Sequence, residues 1–115
     1  MKQLFVIFLS TLLLTSCSTL TSNTTIKPKD SFILGNNPHS RFTVRLKNVS
    51  KNELEVFHAP INGGKHSSQN LKPNQSITVK VDKNTALIIS NNYNDTASID
   101  LNVSGDVGLS MGYKN

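Results

Sequence analysis

The sequence predicts an all-β fold: a small antiparallel β-sandwich of about six or seven strands over residues 31–115. The first observation behind this is period-two alternation, which sends successive side chains to opposite faces of a sheet. Phe42, Val44 and Leu46 alternate with Thr43, Arg45 and Lys47, and Ile77, Val79 and Val81 with Thr78, Lys80 and Asp82. Ala97, Ile99, Leu101 and Val103 alternate with Ser98, Asp100 and Asn102, and a fourth run passes through Val107, Leu109, Met111 and Tyr113. The second observation is the turn chemistry between runs, at Val49-Ser50-Lys51-Asn52, Pro73-Asn74-Gln75, Lys83-Asn84 and Ser104-Gly105-Asp106. The third is that no segment keeps a helical period for three turns.

Taken from the N-terminus, residues 1–16 read as an export signal. Lys2 supplies a positive start, and Leu4-Phe5-Val6-Ile7-Phe8-Leu9 with Leu12-Leu13-Leu14 an apolar stretch of signal-peptide length. A spanning helix would need about 20 predominantly apolar residues. The stretch ends in Leu14-Thr15-Ser16-Cys17: an aliphatic residue, two small residues and a cysteine. This quartet resembles the lipobox of bacterial lipoproteins. The resemblance implies a diacylglycerol on the Cys17 thiol, cleavage just before it, and a membrane held through that lipid as the first partner. Cys17 is the single cysteine of the chain, so no intramolecular disulfide competes for it. Ser18 follows where an aspartate would favour inner-membrane retention, which points to the outer membrane, facing the periplasm.

Residues 17–30 are rich in Ser and Thr with only Leu20 and Ile26 as aliphatic residues, and are expected to form a flexible tether. Beyond it, Phe32-Ile33-Leu34 is expected as an edge strand and Leu54-Glu55-Val56-Phe57 as a strand with Leu54 and Val56 inward. Ala86-Leu87-Ile88-Ile89 is apolar on both faces and predicts a central, doubly covered strand. Pro60-Ile61-Asn62-Gly63-Gly64 opens a long loop through Asn70, and Asn91–Asp95 is a second polar loop.

Charge and chemistry narrow the function classes. Twelve basic residues face seven acidic ones, a formal net charge of +5, but the basic residues are spread along the chain, so no nucleic-acid arm is present. Gly63-Gly64-Lys65 lacks the hydroxyl residue after lysine that a phosphate loop requires. No serine elbow and no cofactor motif appear, so no catalytic residues and no cofactor are assigned. His39, His58 and His66 lack metal-ligand spacing, and no metal site is assigned from them. The alternative is a metal- or calcium-dependent module, or an enzyme, using His58, His66 and the carboxylates Asp95, Asp100 and Asp106. The favoured expectation is a non-enzymatic envelope module whose partner is an envelope protein or a polysaccharide. Loops 61–70 and 91–95 are its expected contact surface, with Tyr93, Asn92 and His66 as the contact residues.

Intact mass of the membrane-extracted protein from a bacterial host tests the anchor. The expected wild-type product begins at Cys17 and carries added acyl mass. Cys17→Ser should lose both the acyl mass and membrane association.

Overall fold

A computed structural model describes residues 19–115. The expected signal segment 1–16 and the lipidation site Cys17 lie outside the described residues. Nine strands are present among the described residues: β1 (Thr19–Ile26), β2 (Ser31–Leu34), β3 (Phe42–Asn48), β4 (Leu54–Pro60), β5 (His66–Leu71), β6 (Ser76–Val81), β7 (Thr85–Ser90), β8 (Ala97–Gly105) and β9 (Met111–Tyr113). They form two antiparallel sheets, one ordered β1-β8-β3-β6 and the other β5-β4-β7-β2-β9. The two-sheet all-β expectation holds, with nine strands in place of six or seven.

The order has a simple origin. β1 pairs β8, β2 pairs β7, β3 pairs β6 and β4 pairs β5. Those are the rungs of one long hairpin with β4 and β5 at its tip. Rolling the hairpin sends alternate rungs to opposite sheets, and the β3–β8 and β4–β7 pairings close the roll. The result is a double-sheet jelly roll, with β9 added beside β2.

Inward residues of both sheets fill the interior. Val44, Leu46, Ile99 and Val103 from one sheet and Leu34, Leu54, Leu87 and Ile89 from the other are all but inaccessible. The alternations predicted through 42–46, 77–81 and 97–103 face as expected, with Ile77 only partly covered. β7 is central, between β4 and β2.

Four expectations are corrected. The presumed tether supplies β1, registered against β8 from Thr19↔Ser104 to Ile26↔Ala97. The domain therefore begins at or before Thr19, not at residue 31. β1 escapes notice in sequence because it is an edge strand whose inward positions include Ser22 and Thr24, and only Ile26 is a fully buried aliphatic residue. Likewise β5 replaces part of the expected 61–70 loop; five of its six residues are exposed, so no apolar alternation marks it. β2 is interior to its sheet instead of at an edge, because β9 covers its free side. In the last run only Met111–Tyr113 is strand, and Met111 and Tyr113 point outward while Val107 and Leu109 pack against the core from the preceding loop.

Seven of the eight connections cross from one sheet to the other, and buried polar side chains hold the crossings. Asn91, after β7, donates from Nδ2 to the carbonyls of Ile26, Lys27 and Asp95 at 3.2, 3.2 and 2.7 Å. Its Oδ1 accepts from Tyr93 N and its own N–H donates to Asp30 O. Asn48, the last residue of β3, donates to the carbonyls of Asn52 and Leu71 and accepts from Ser50 N. Asp30, between β1 and β2, accepts from the N–H groups of Ser31 and Asn115. His39 sets its ring nitrogens 2.6 Å from Ser40 O and 2.9 Å from Thr85 O, edge-on to Phe42. At the β8–β9 crossing Gly105 has φ +95°, and a Cβ there would come within 3.0 Å of Arg41 O, so only glycine fits.

Two carboxylates tie down the remaining edges. The Lys65 ammonium, helped by the Ser68 hydroxyl, holds the Glu55 carboxyl below the usual carboxylate range on the β4–β5 pair. Lys65 also lies 4.6 Å above the Phe57 ring. The N–H groups of Ser40 and Gly108 lower Asp106 in the same direction.

Ile26→Ala should cost about 2–4 kcal/mol in denaturant unfolding, as expected for a buried aliphatic truncation; a tether residue would cost nothing. Asn91→Ala should destabilise by about 3 kcal/mol by stranding buried carbonyls, whereas exposed Asn62→Ala should stay within about 0.5 kcal/mol. The depressed Glu55 adds stability that is full above the ordinary carboxylate range and fades as pH falls through its folded value. In thermal melts, Glu55→Gln should therefore melt below wild type near about pH 7, with the gap closing as the pH falls through and below the ordinary carboxylate range.

Candidate functional site

The outward halves of the alternating strands assemble on one surface. Because β1, β8, β3 and β6 lie side by side in register, their outward residues form rows across the sheet. Thr21 faces Asn102, Asn102 faces Arg45, and Arg45 faces Thr78. The next row is Asn23, Asp100, Lys47 and Ser76, and the row on the other side is Thr19, Ser104, Thr43 and Lys80. All of these side chains are polar. Strands spaced about 4.8 Å apart make each row roughly 14 Å across.

The middle of this face dips into a depression of about 520 Å³ lined by Thr21, Asn23, Arg45, Lys47, Asp100 and Asn102, among others. Asn23 Nδ2 donates to Asp100 Oδ1 at 2.7 Å and to Ser98 Oγ at 3.1 Å, which fixes the amide in place. Among the described residues, the salt bridges are Arg41–Asp82 and Lys65–Glu55. Arg45 and Lys47 thus keep their charges available, with Asp100 the single carboxylate in the depression. No aromatic side chain lies in these rows. What the depression offers is hydroxyls, two amides, a carboxylate, a guanidinium and an ammonium, on a backbone of paired strands.

The residues singled out from sequence fall elsewhere. Tyr93 and Asn92 sit in the loop after β7, next to the β1–β2 turn: Lys29 N donates to Tyr93 O, and Lys29 Nζ to Asn92 O at 2.8 Å. Tyr93 is 44% exposed and its loop is anchored through its backbone. His66 begins β5 at the opposite end of that sheet, facing His58 across a bulge in β4. The three expected contact residues therefore do not share one surface.

His58 and His66 do meet, as the folded-back loop allowed. They line a depression of about 370 Å³ at the open edge between the sheets, with Lys80, Asp82 and Thr85. His58 Nδ1 is buried there without a hydrogen-bond partner. Among the described residues, no group of three or more His, Cys, Asp or Glu side chains is placed to hold a metal ion. The carboxylates named with them are dispersed. Asp95 accepts from Asn52 Nδ2 in the loop after β7, Asp100 lies on the outer face of the four-stranded sheet, and Asp106 caps the turn after β8. The metal-dependent alternative loses its ligand set.

Sequence reasoning counted Arg45, Lys47, Asp100 and Asn102 only as the wet half of each alternation. Their assembly comes from the pairing of β3 with β8, strands from distant parts of the chain, which no local pattern records.

No protein-family model and no curated protein sequence matches the chain. Its fold is similar to that of solved structures at low identity. One is procruciferin, an 11S globulin from Brassica napus, with 7% identity, TM-score 0.55, and a match covering 82% of this chain and 22% of that one. Another is the capsular polysaccharide assembling protein CapF from Staphylococcus aureus, with 15% identity, TM-score 0.57, and a match covering 79% of this chain and 24% of that one. The chain thus corresponds to about a quarter of the length of each of these proteins, and what it shares with them is the two-sheet β fold.

Proposed function

We propose that this chain is a non-enzymatic binding module of the bacterial cell envelope, held by lipid on Cys17, that takes an acidic polysaccharide on the outer face of its four-stranded sheet. The observation that carries the reading is the array of polar side chains in register around Arg45 and Lys47. Sugar hydroxyls pair as both donors and acceptors, and amides, carboxylates and guanidinium groups answer them in planar, two-pronged fashion. The two cations without a carboxylate partner select for a glycan carrying uronate or phosphate groups, since hydrogen bonds to charged groups are the stronger ones. Sheet residues held by neighbouring strands lose little freedom on binding, which favours a preformed site. Polymer length then adds affinity, because repeating units rebind at high effective concentration.

The lipobox-like quartet supports the envelope location, and Ser18 supports the periplasmic face of an outer membrane. The fold held in common with CapF supplies a polysaccharide context; the polar sheet face supplies the chemistry.

Titration calorimetry with acidic and neutral envelope polysaccharides tests the reading. Binding of the acidic polymer should weaken as salt rises, and Arg45→Gln with Lys47→Gln should lower affinity about tenfold or more, roughly 1.4 kcal/mol. Tyr93→Ala should leave it unchanged. Equal binding of neutral and acidic polymers, or affinity indifferent to Arg45 and Lys47, would overturn the proposal.

A further inference from the structure

We infer that the end of the sandwich carrying Ile61 rests on the anionic phospholipid surface that receives the acyl chains of Cys17. This rests on the lipid-anchor reading above and extends it from attachment to orientation.

The chain's own geometry selects that end. β1 is in register with β8 from its first residue, Thr19 against Ser104. Cys17 lies two residues earlier, and two residues span at most about 7 Å. A lipid on Cys17 therefore enters the bilayer close beside the end of the sandwich where β1 starts. With the presumed tether consumed by β1, the domain has no slack with which to stand away or turn over freely.

The same end gathers four connections. Gly105 of β8 and Val81 of β6 both face Phe42, at the start of β3, and the turn after Val81 leads to Thr85, which faces Pro60 at the end of β4. The β4–β5 loop projects from there. Gly63 N donates to Pro60 O at 2.9 Å, so Ile61 and Asn62 form the corner of a tight turn, and Ile61 N donates to Asn84 O, fixing that corner against the β6–β7 turn. Turn corners favour Gly, Pro, Asn, Asp and Ser; here the corner is an isoleucine 66% exposed, the most exposed large apolar side chain described. A lone exposed aliphatic residue is ordinary on a protein surface. This one is held rigidly at the end from which the anchor leaves.

Charge is compatible with the assignment. Exposed Arg41 and Lys83 lie on the same end, with Asp82 beside Arg41 at 3.9 Å and Asp106 occupied by the Ser40 and Gly108 N–H groups. One isoleucine and a few cations are too little to recruit a free protein to a membrane. A tethered domain already meets the surface at millimolar effective concentration, and under that condition a weak contact decides which way it faces.

The test uses the acylated mature chain beginning at Cys17, reconstituted in vesicles of phosphatidylethanolamine and phosphatidylglycerol. Cys17 is blocked as a thioether, so Ile61→Cys or Lys51→Cys offers one thiol for a polarity-sensitive fluorophore. The label at 61 should shift to the blue and be quenched by nitroxide-bearing acyl chains, and the label at 51, at the other end, should do neither. Adding Lys83→Glu should reduce the quenching at 61. Acyl mass on the protein with position 61 fully in water, or equal quenching at 61 and 51, would overturn the inference and leave the anchor standing. A chain lacking acyl mass would remove both.

Discussion

Repeated crossing between the two sheets is the constraint on which the rest of this molecule depends. A strand that stays in its sheet satisfies its backbone with its neighbours; a chain that leaves one sheet for the other carries peptide groups through a region where no ladder continues. Seven such crossings in a small domain would strand many carbonyls in the interior. The buried Asn91, Asn48, Asp30 and His39 stand at those points and meet backbone groups there. Their polarity lets the chain cross between the sheets with backbone groups paired at those four points.

This division of labour separates what holds the fold from what is available for recognition. The crossings are occupied by backbone partners and the interior by aliphatic side chains, so neither is free for a ligand. The outer face of the four-stranded sheet has no such structural duty. Its residues are set by the register of strands that the core already fixes, and Arg45, Lys47, Asp100 and Asn102 are consequently presented at defined spacing. Under the proposed anchor and orientation, β1 would run away from the membrane surface and this face would stand upright beside the bilayer, open to a polymer lying along it.

The legibility of the fold in sequence follows burial strand by strand. β3, β6 and β8 each bury one face under the opposite sheet, and their alternation of aliphatic and polar residues is plain. β7, flanked by β4 and β2 with only Ile88 partly open, shows as an apolar run. The edge strands β1 and β5 are invisible because pairing on one side and partial exposure let Thr, Ser, Asn and Gln fill them. The last run misled for the opposite reason: Met111 and Tyr113 alternate like core residues yet face outward, where Tyr113 packs edge-on to Phe32 and donates its hydroxyl proton to Thr25 O. The site was hidden because its rows are written across strands from distant parts of the chain. Asn91 looked like any loop asparagine, and only the three carbonyls around it distinguish it from Asn92.

The pairing of β1 with β8 also sets a timetable. The strand Thr19–Ile26 finds its partner only once the chain has run on to Ala97–Gly105, and the long-range ladders between them give the fold a high contact order. A partial chain emerging from the ribosome cannot complete the four-stranded sheet or seal the core. Until β8 is available the core stays open on that side, a delay that would suit the export proposed for this chain.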